Sequence, residues 1–309
     1  MKKRVVILGS TGSIGKSTIS LILDNPDKFE VVAITANGNA AALAVQAQIL
    51  KPKYVALADE SKIAELKELL PTCQVISVTE AAEVEADIVI SAIVGIAGLK
   101  PTMAAINKGR VVGLANKESM VCAGQIMLDA AQKSGAKIIP IDSEHNAAFQ
   151  VLDTRQNIEK IALTASGGPF LNYTAEQLKT VTPAQAIAHP KWNMGAKISV
   201  DSATMMNKGL ELIEAHYLFG LPPEKLDVVI HPESIIHSLV TYDDGASLAQ
   251  LSCPDMRVPI SGVLGYPNRL KNSTNRLDLT EISQLNFEKP DLQKFPCLKI
   301  AMDVLDKGL

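Results

Sequence analysis

Cysteine is scarce and badly spaced for cross-linking. The 309-residue chain has four, Cys73, Cys122, Cys253 and Cys297, far apart and with no C-x-x-C. That spacing excludes a disulfide frame or a cysteine zinc site and points to reduced thiols in a cytoplasmic protein. No excess of positive charge is present: the net charge is -3, which argues against a nucleic-acid or membrane-binding surface. No apolar run is long enough to span a bilayer, and Met1-Lys2-Lys3-Arg4 leads into a short strand rather than a signal peptide. Repeats and low-complexity segments are also missing. What remains, 47% hydrophobic and 20% charged residues, suits a packed core, and the length suits about two domains.

The first half alternates strands and helices. Val5–Leu8 predicts a buried strand, then Gly9-Ser10-Thr11-Gly12-Ser13-Ile14-Gly15, then an amphipathic helix to about Leu23. Strand, glycine turn and helix form the setting of a dinucleotide fingerprint, in which glycines let the backbone approach a pyrophosphate at a helix N-terminus. The spacing, G-x-x-G-x-x-G, is a variant. Gly15-Lys16-Ser17 raises a P-loop, but Ser10 stands where that motif needs glycine, and Asp87 precedes its strand instead of following it. After the second strand, Phe29–Thr35, comes Ala36-Asn37-Gly38-Asn39 with no acid for a ribose 2′-OH, which favours NADP over NAD. Further strands are predicted at Lys53–Leu57, Ile88–Ala92 and Arg110–Leu114, with a helix from Ser61 to Leu70 capped by Ser61. The alternation predicts a parallel, doubly wound sheet.

Ala136–Ile141 reads as a strand that ends in Asp142-Ser143-Glu144-His145-Asn146. On an extended backbone Asp142 and Glu144 point the same way, and their repulsion would be relieved by a hard cation such as Mg²⁺ or Mn²⁺. Lys117, at the end of another strand, could face the same crevice. Ser166-Gly167-Gly168 after the strand Ile161–Thr164 makes a nest for an anion. His189–Gly195 resembles a lid with Trp192 as its apolar cover. A helix from about Ala203, with Ser202 at or near its cap, sets Asn207 and Lys208 beside Glu211. Hydroxyl, amide and ammonium suit a phosphate, and the carboxylate suits the cation. Glu214, one turn on, fits equally by spacing. His145, His216, His231 and His237 have no mutual metal spacing and read as structural.

These runs resemble the 1-deoxy-D-xylulose 5-phosphate reductoisomerase family. The matching segments are GSTGSIG at Gly9, ANKES at Ala115, DSEHNA at Asp142, SGGPF at Ser166, HPKWNMG at His189 and KISVDSATMMNKGLE at Lys197. The resemblance implies an α/β chain: a Rossmann-like doubly wound parallel sheet followed by an α+β catalytic domain, with a C-terminal helical bundle largely absent. It implies an NADPH-binding domain over 1–142, a metal- and phosphate-binding catalytic domain over 143–267, a linker over 268–290 and the start of a helical domain over 291–309. Asp142, Glu144 and Glu211 would hold Mg²⁺ or Mn²⁺, with Co²⁺ a further option, and Glu211 is thereby preferred to Glu214. Ser166, Ser202, Asn207 and Lys208 would hold the substrate phosphate. Lys117, Ser143 and His189 would be the catalytic residues along the substrate, with Trp192 and Met194 on a closing flap. Thr11, Gly12, Ser13, Ile14, Asn37, Gly38, Asn39, Asn116, Lys117 and Glu118 would line NADPH. The implied protein is a cytoplasmic homodimer that acts on a sugar phosphate, with no nucleic-acid or membrane partner. Two other readings are an NADP-dependent aldehyde or semialdehyde reductase and a non-enzymatic NADP-sensing module. Neither needs the metal set.

Overall fold

The computed structural model describes residues 1–188 and 195–308. The chain divides into two compact units, Met1–Asp142 with Met256–Ser273, and Ser143–Asp255 with Thr274 onward.

The first unit is built on a seven-stranded sheet of order β4-β3-β2-β1-β5-β6-β7. Its strands are β1 (Lys3–Leu8), β2 (Phe29–Ala36), β3 (Tyr54–Leu57), β4 (Gln74–Val75), β5 (Ile88–Ser91), β6 (Val111–Leu114) and β7 (Lys137–Pro140). Every pairing is parallel. Such a sheet is covered on both faces, so its strands read as continuous apolar runs: Val5, Val6, Ile7 and Leu8 have no exposure at all. The order reverses between β1 and β5, the switch point at which doubly wound sheets bind ligands.

Residues 256–273 return to this unit, although the sequence divides them between catalytic domain and linker. The helix Arg257–Gly265 presses Val263 onto Gly113 of β6: a β-carbon at Gly113 would lie 2.8 Å from it. The Lys3 ammonium donates to the carbonyls of Leu264, Gly265 and Tyr266 at 3.3, 3.4 and 2.8 Å, and so closes the helix C-terminus.

The second unit holds a four-stranded mixed sheet of order β11-β10-β8-β9. Its strands are β8 (Ile158–Ala165), β9 (Leu226–Ile230), β10 (Ile236–Tyr242) and β11 (Ser247–Leu251). β8 and β9 run parallel; the other two pairings are antiparallel. The helix Ser143–Val151 packs on β10. The helix Met206–Phe219 packs on the helix Pro296–Lys307, where Gly209 meets Ala301. The last helix therefore belongs to this unit's core through Leu298, Ala301 and Leu305, all nearly fully buried. Glu288 bridges to Ile230, tying residues that read as linker to the sheet.

Three local expectations change. Ser143 begins a helix, so Glu144 lies in a first helical turn and not on an extended backbone. Asp59, not Ser61, caps the turn after β3, accepting from the Ser61 amide at 3.0 Å. Ser202 lies near the end of a separate helix, Ala196–Ala203, and the next helix starts after Met205, which takes a left-handed conformation at φ 59°.

Candidate functional site: a glycine turn and a buried carboxylate–lysine network

In the first unit, Thr11 and Gly12 form the turn after β1, and Ser13 and Ile14 open the helix Ser13–Leu23. Its cap residue is Gly12, with no side-chain cap and no acid in the first turn. The free N–H groups and positive dipole end are thus left for an anion. Only glycine fits at Gly15, because a β-carbon there would stand 2.4 Å from the Ser10 carbonyl oxygen. Ser10 is fastened from behind. Its hydroxyl donates to Gln46 Oε1 at 2.6 Å, and Gln46 Nε2 donates to its carbonyl at 2.9 Å. Asn37 and Asn39 are exposed in the turn after β2, where the Asn39 side chain caps the next helix by accepting from the Ala42 amide at 2.9 Å.

Asn116 is buried and already committed. Its amide donates to the carbonyls of Ile93 and Gly95, and its Oδ1 accepts from the Ser119 amide at 3.0 Å, capping the helix Lys117–Ser134. This holds Lys117 and Glu118 in the first turn of that helix. The Lys117 ammonium is 2.7 Å from Asp142 Oδ2, with side chains only 10% and 14% exposed.

In the second unit, five assigned residues meet. Lys208 Nζ donates to Glu144 Oε1 at 2.8 Å and also to Glu211 Oε2. Asn207 donates to the other Glu211 oxygen, and the Ser143 hydroxyl donates to Glu144. Oxygens of Glu144 and Glu211 lie within 4.8 Å of each other. Lys208 and Glu211 are almost fully buried. Two carboxylates share the Lys208 ammonium here, at low exposure. The hard oxygen donors fit a divalent cation of the Mg²⁺ type. Ser143 alone separates Asp142 from Glu144 in the chain.

Glu211 and Glu214 have different surroundings, and each belongs to a group of side chains able to hold a metal ion. Glu214 faces His145: its Oε2 is 3.2 Å from Nδ1, and the His145 Nε2 lies 2.8 Å from the Glu211 carbonyl oxygen. The sequence pattern marks His145 as structural but offers it no partner, since the pairing joins positions 69 residues apart.

Ser166 Oγ accepts from the Gly168 amide at 3.2 Å. Gly168, at φ +69°, lets this loop close on the helix Ala196–Ala203: a β-carbon would lie 2.6 Å from the Ser202 carbonyl oxygen. The Ser166 loop and the end of the helix that carries Ser202 are therefore neighbours. A cavity of about 400 Å³ opens beside Ser166, lined also by Tyr173, Gln185 and Pro232. Asn207 and Lys208 point to the carboxylates as described. His189, Trp192 and Met194 lie outside the described residues.

Known proteins resemble this chain over nearly its whole length. The sequence model for 1-deoxy-D-xylulose 5-phosphate reductoisomerase matches residues 5–124, and those for its C-terminal domain match 138–219 and 251–309. A Clostridium perfringens protein of that name is 50% identical over 99% of this chain and 83% of its own length. One from a Wolbachia of Drosophila simulans is 52% identical over 99% and 80%.

The chain belongs to the 1-deoxy-D-xylulose 5-phosphate reductoisomerase family.

Solved reductoisomerase structures agree in fold. The Zymomonas mobilis enzyme in complex with NADPH superposes with a TM-score of 0.94 at 46% identity, covering 100% of this chain and 82% of that one. A complex with NADPH, fosmidomycin and magnesium gives 0.96 at 43% identity, covering 99% and 80%. An archaeal homoserine dehydrogenase, at 16% identity and a TM-score of 0.57, shares the fold alone.

Proposed function

We propose that this reductoisomerase-family chain converts 1-deoxy-D-xylulose 5-phosphate to 2-C-methyl-D-erythritol 4-phosphate in isoprenoid precursor synthesis, using NADPH and a divalent cation. The buried Glu144–Lys208–Glu211 network carries this reading, because a reductase working without a metal has no use for it. Solved relatives in complex with NADPH and magnesium support the same pair of cofactors. Asp142, Glu144 and Glu211 are the ligand set we assign, for Mg²⁺ first and Mn²⁺ or Co²⁺ as substitutes. When bound, the cation supplies stabilisation of negative charge on the substrate's ketone and hydroxyl oxygens, and NADPH supplies the reducing equivalents.

The chain's own residues do the rest. Ser166, Ser202, Asn207 and Lys208 anchor the phosphate. Binding energy spent there, away from the reacting carbons, orients the α-hydroxyketone. Ser143 and His189 line the substrate, and Trp192 and Met194 close over it to exclude water. Lys117, held by Asp142, stabilises oxyanion charge or moves a proton at a substrate oxygen. Thr11 to Ile14 receive the NADPH pyrophosphate at the helix N-terminus, and Asn37 to Asn39 the adenosine ribose. Asn116 acts through the scaffold and fixes the helix that bears Lys117 and Glu118.

Among the described residues no helix is long and apolar enough to cross a membrane. We assign the protein to the cytoplasm from its four widely spaced free cysteines. We assign a homodimer because β11 is a sheet edge with Leu248 about half exposed, the kind of edge that a second strand covers. The deciding experiment incubates the chain with substrate, NADPH and Mg²⁺ and identifies the product by mass spectrometry and NMR. Formation of 2-C-methyl-D-erythritol 4-phosphate is expected. NADPH binding without turnover would return the chain to the semialdehyde-reductase reading.

A further inference from the structure

The turn that takes the adenosine ribose has an unexpected neighbour. In doubly wound dinucleotide sites the residue after the second strand meets the ribose 2′ position, an acid for the 2′-OH or a cation for the 2′-phosphate. Here that turn, Asn37-Gly38-Asn39, has neither. An acid reaches it instead from the end of the next strand. Asp59 leans over Gly38: a β-carbon at Gly38 would lie 3.2 Å from Asp59 Oδ2 and 3.4 Å from its Cβ. The backbone holds the two segments together, with the Asp59 amide donating to the Asn37 carbonyl at 2.9 Å. The other carboxylate oxygen is oriented by the Ser61 amide at 3.0 Å and the Ser61 hydroxyl at 2.6 Å. Those hydrogen bonds hold the Asp59 carboxyl below its usual range, so it is ionised at neutral pH. The cation that acts on it, Lys62, pairs with Glu65 at 3.3 Å.

We propose that Asp59 is a specificity-determining residue at the adenosine ribose, where its carboxylate opposes a 2′-phosphate and narrows the preference for NADPH over NADH. The proposal rests on the first unit being the NADPH-binding one. A 2′-phosphate carries close to two negative charges. One opposing charge within about a Debye length, screened by water, changes its affinity about three- to tenfold, and less in high salt.

The test measures kcat/KM and calorimetric affinity for NADPH and NADH in the wild type, Asp59→Asn, Ser61→Ala and Asn37→Lys. Asn keeps an oxygen for the cap, so the Asp59 variant is expected to fold. Asp59→Asn should raise the NADPH-to-NADH ratio about three- to tenfold at low salt, with the gain shrinking as salt is added. Asn37→Lys should move the ratio the same way, and Ser61→Ala, which keeps the charge, should leave it within about twofold. Dinucleotide binding with an unchanged ratio in Asp59→Asn would overturn the proposal alone. Absence of any dinucleotide binding by the wild type would overturn the cofactor reading and this proposal together.

Discussion

Replacing Lys208 by Met removes an ammonium that Glu144 and Glu211 share. The Lys208 and Glu211 side chains are 4% and 1% exposed, and Glu144 is 18% exposed. Breaking a buried ion pair by deleting one partner costs about 3–5 kcal/mol, against about 1 kcal/mol or less for an exposed pair. For a unit of this size each kcal/mol lowers Tm by roughly 2–4 °C, so the metal-free variant should melt about 6–20 °C below wild type. Met fills a similar volume, so little of that loss is cavity formation. Mg²⁺ then replaces the missing positive charge. It should stabilise Lys208→Met more than wild type, with the gain growing as RT ln(1 + [Mg²⁺]/Kd). Calorimetry of both proteins in EDTA and across a Mg²⁺ titration provides the measurement. A loss below about 1 kcal/mol in EDTA, or equal Mg²⁺ stabilisation of both proteins, would refute the view that these carboxylates form a cation site.

Other outcomes follow from the same geometry. Asp142→Asn should weaken Mg²⁺ binding about 10- to 100-fold while NADPH affinity, read by calorimetry, stays near wild type. Gly15→Val forces a side chain into the Ser10 carbonyl and should abolish dinucleotide binding, with the first unit destabilised by at least about 1–3 kcal/mol. Ser202→Ala should raise KM for the phosphorylated substrate well beyond any change in kcat, as loss of an anchor does. Arg155, through its side chain and its amide, lowers the Asp153 carboxyl to about 2. The folded pKa lies below the unfolded one, so this contribution is present above about pH 4 and is lost as pH falls toward 2. An NMR titration showing Asp153 at an ordinary value would contradict it.

Features set by local pattern were legible in the sequence. Val5 to Gly15 spells strand, turn and helix in consecutive residues, and the parallel sheet follows from repetition of that unit. The acids at Asp142, Glu144 and Glu211 were legible as residue types and the surroundings of Glu144 were not. Asp142 before a Glu-bearing first turn is itself a helix-start signal, and the apolar strand ahead of it overshadowed that signal. The break between Ser202 and Met206 has no such signal: Ala203-Thr204-Met205 contains neither glycine nor proline, yet Met205 adopts a positive φ. Long-range pairings were out of reach. His145 with Glu214, Lys3 with the end of the helix Arg257–Gly265, and Asp59 against Gly38 depend on how distant segments fold together, and no local propensity encodes them.

The most direct test follows NADPH absorbance with 1-deoxy-D-xylulose 5-phosphate, in Mg²⁺ and in EDTA, for the wild type and Glu211→Gln. Gln keeps the shape and removes the charge. The wild type should oxidise NADPH only with the cation, and Glu211→Gln should lose at least about a hundredfold in kcat/KM while still binding NADPH. Turnover that persists in EDTA, or that survives Glu211→Gln, would contradict the account.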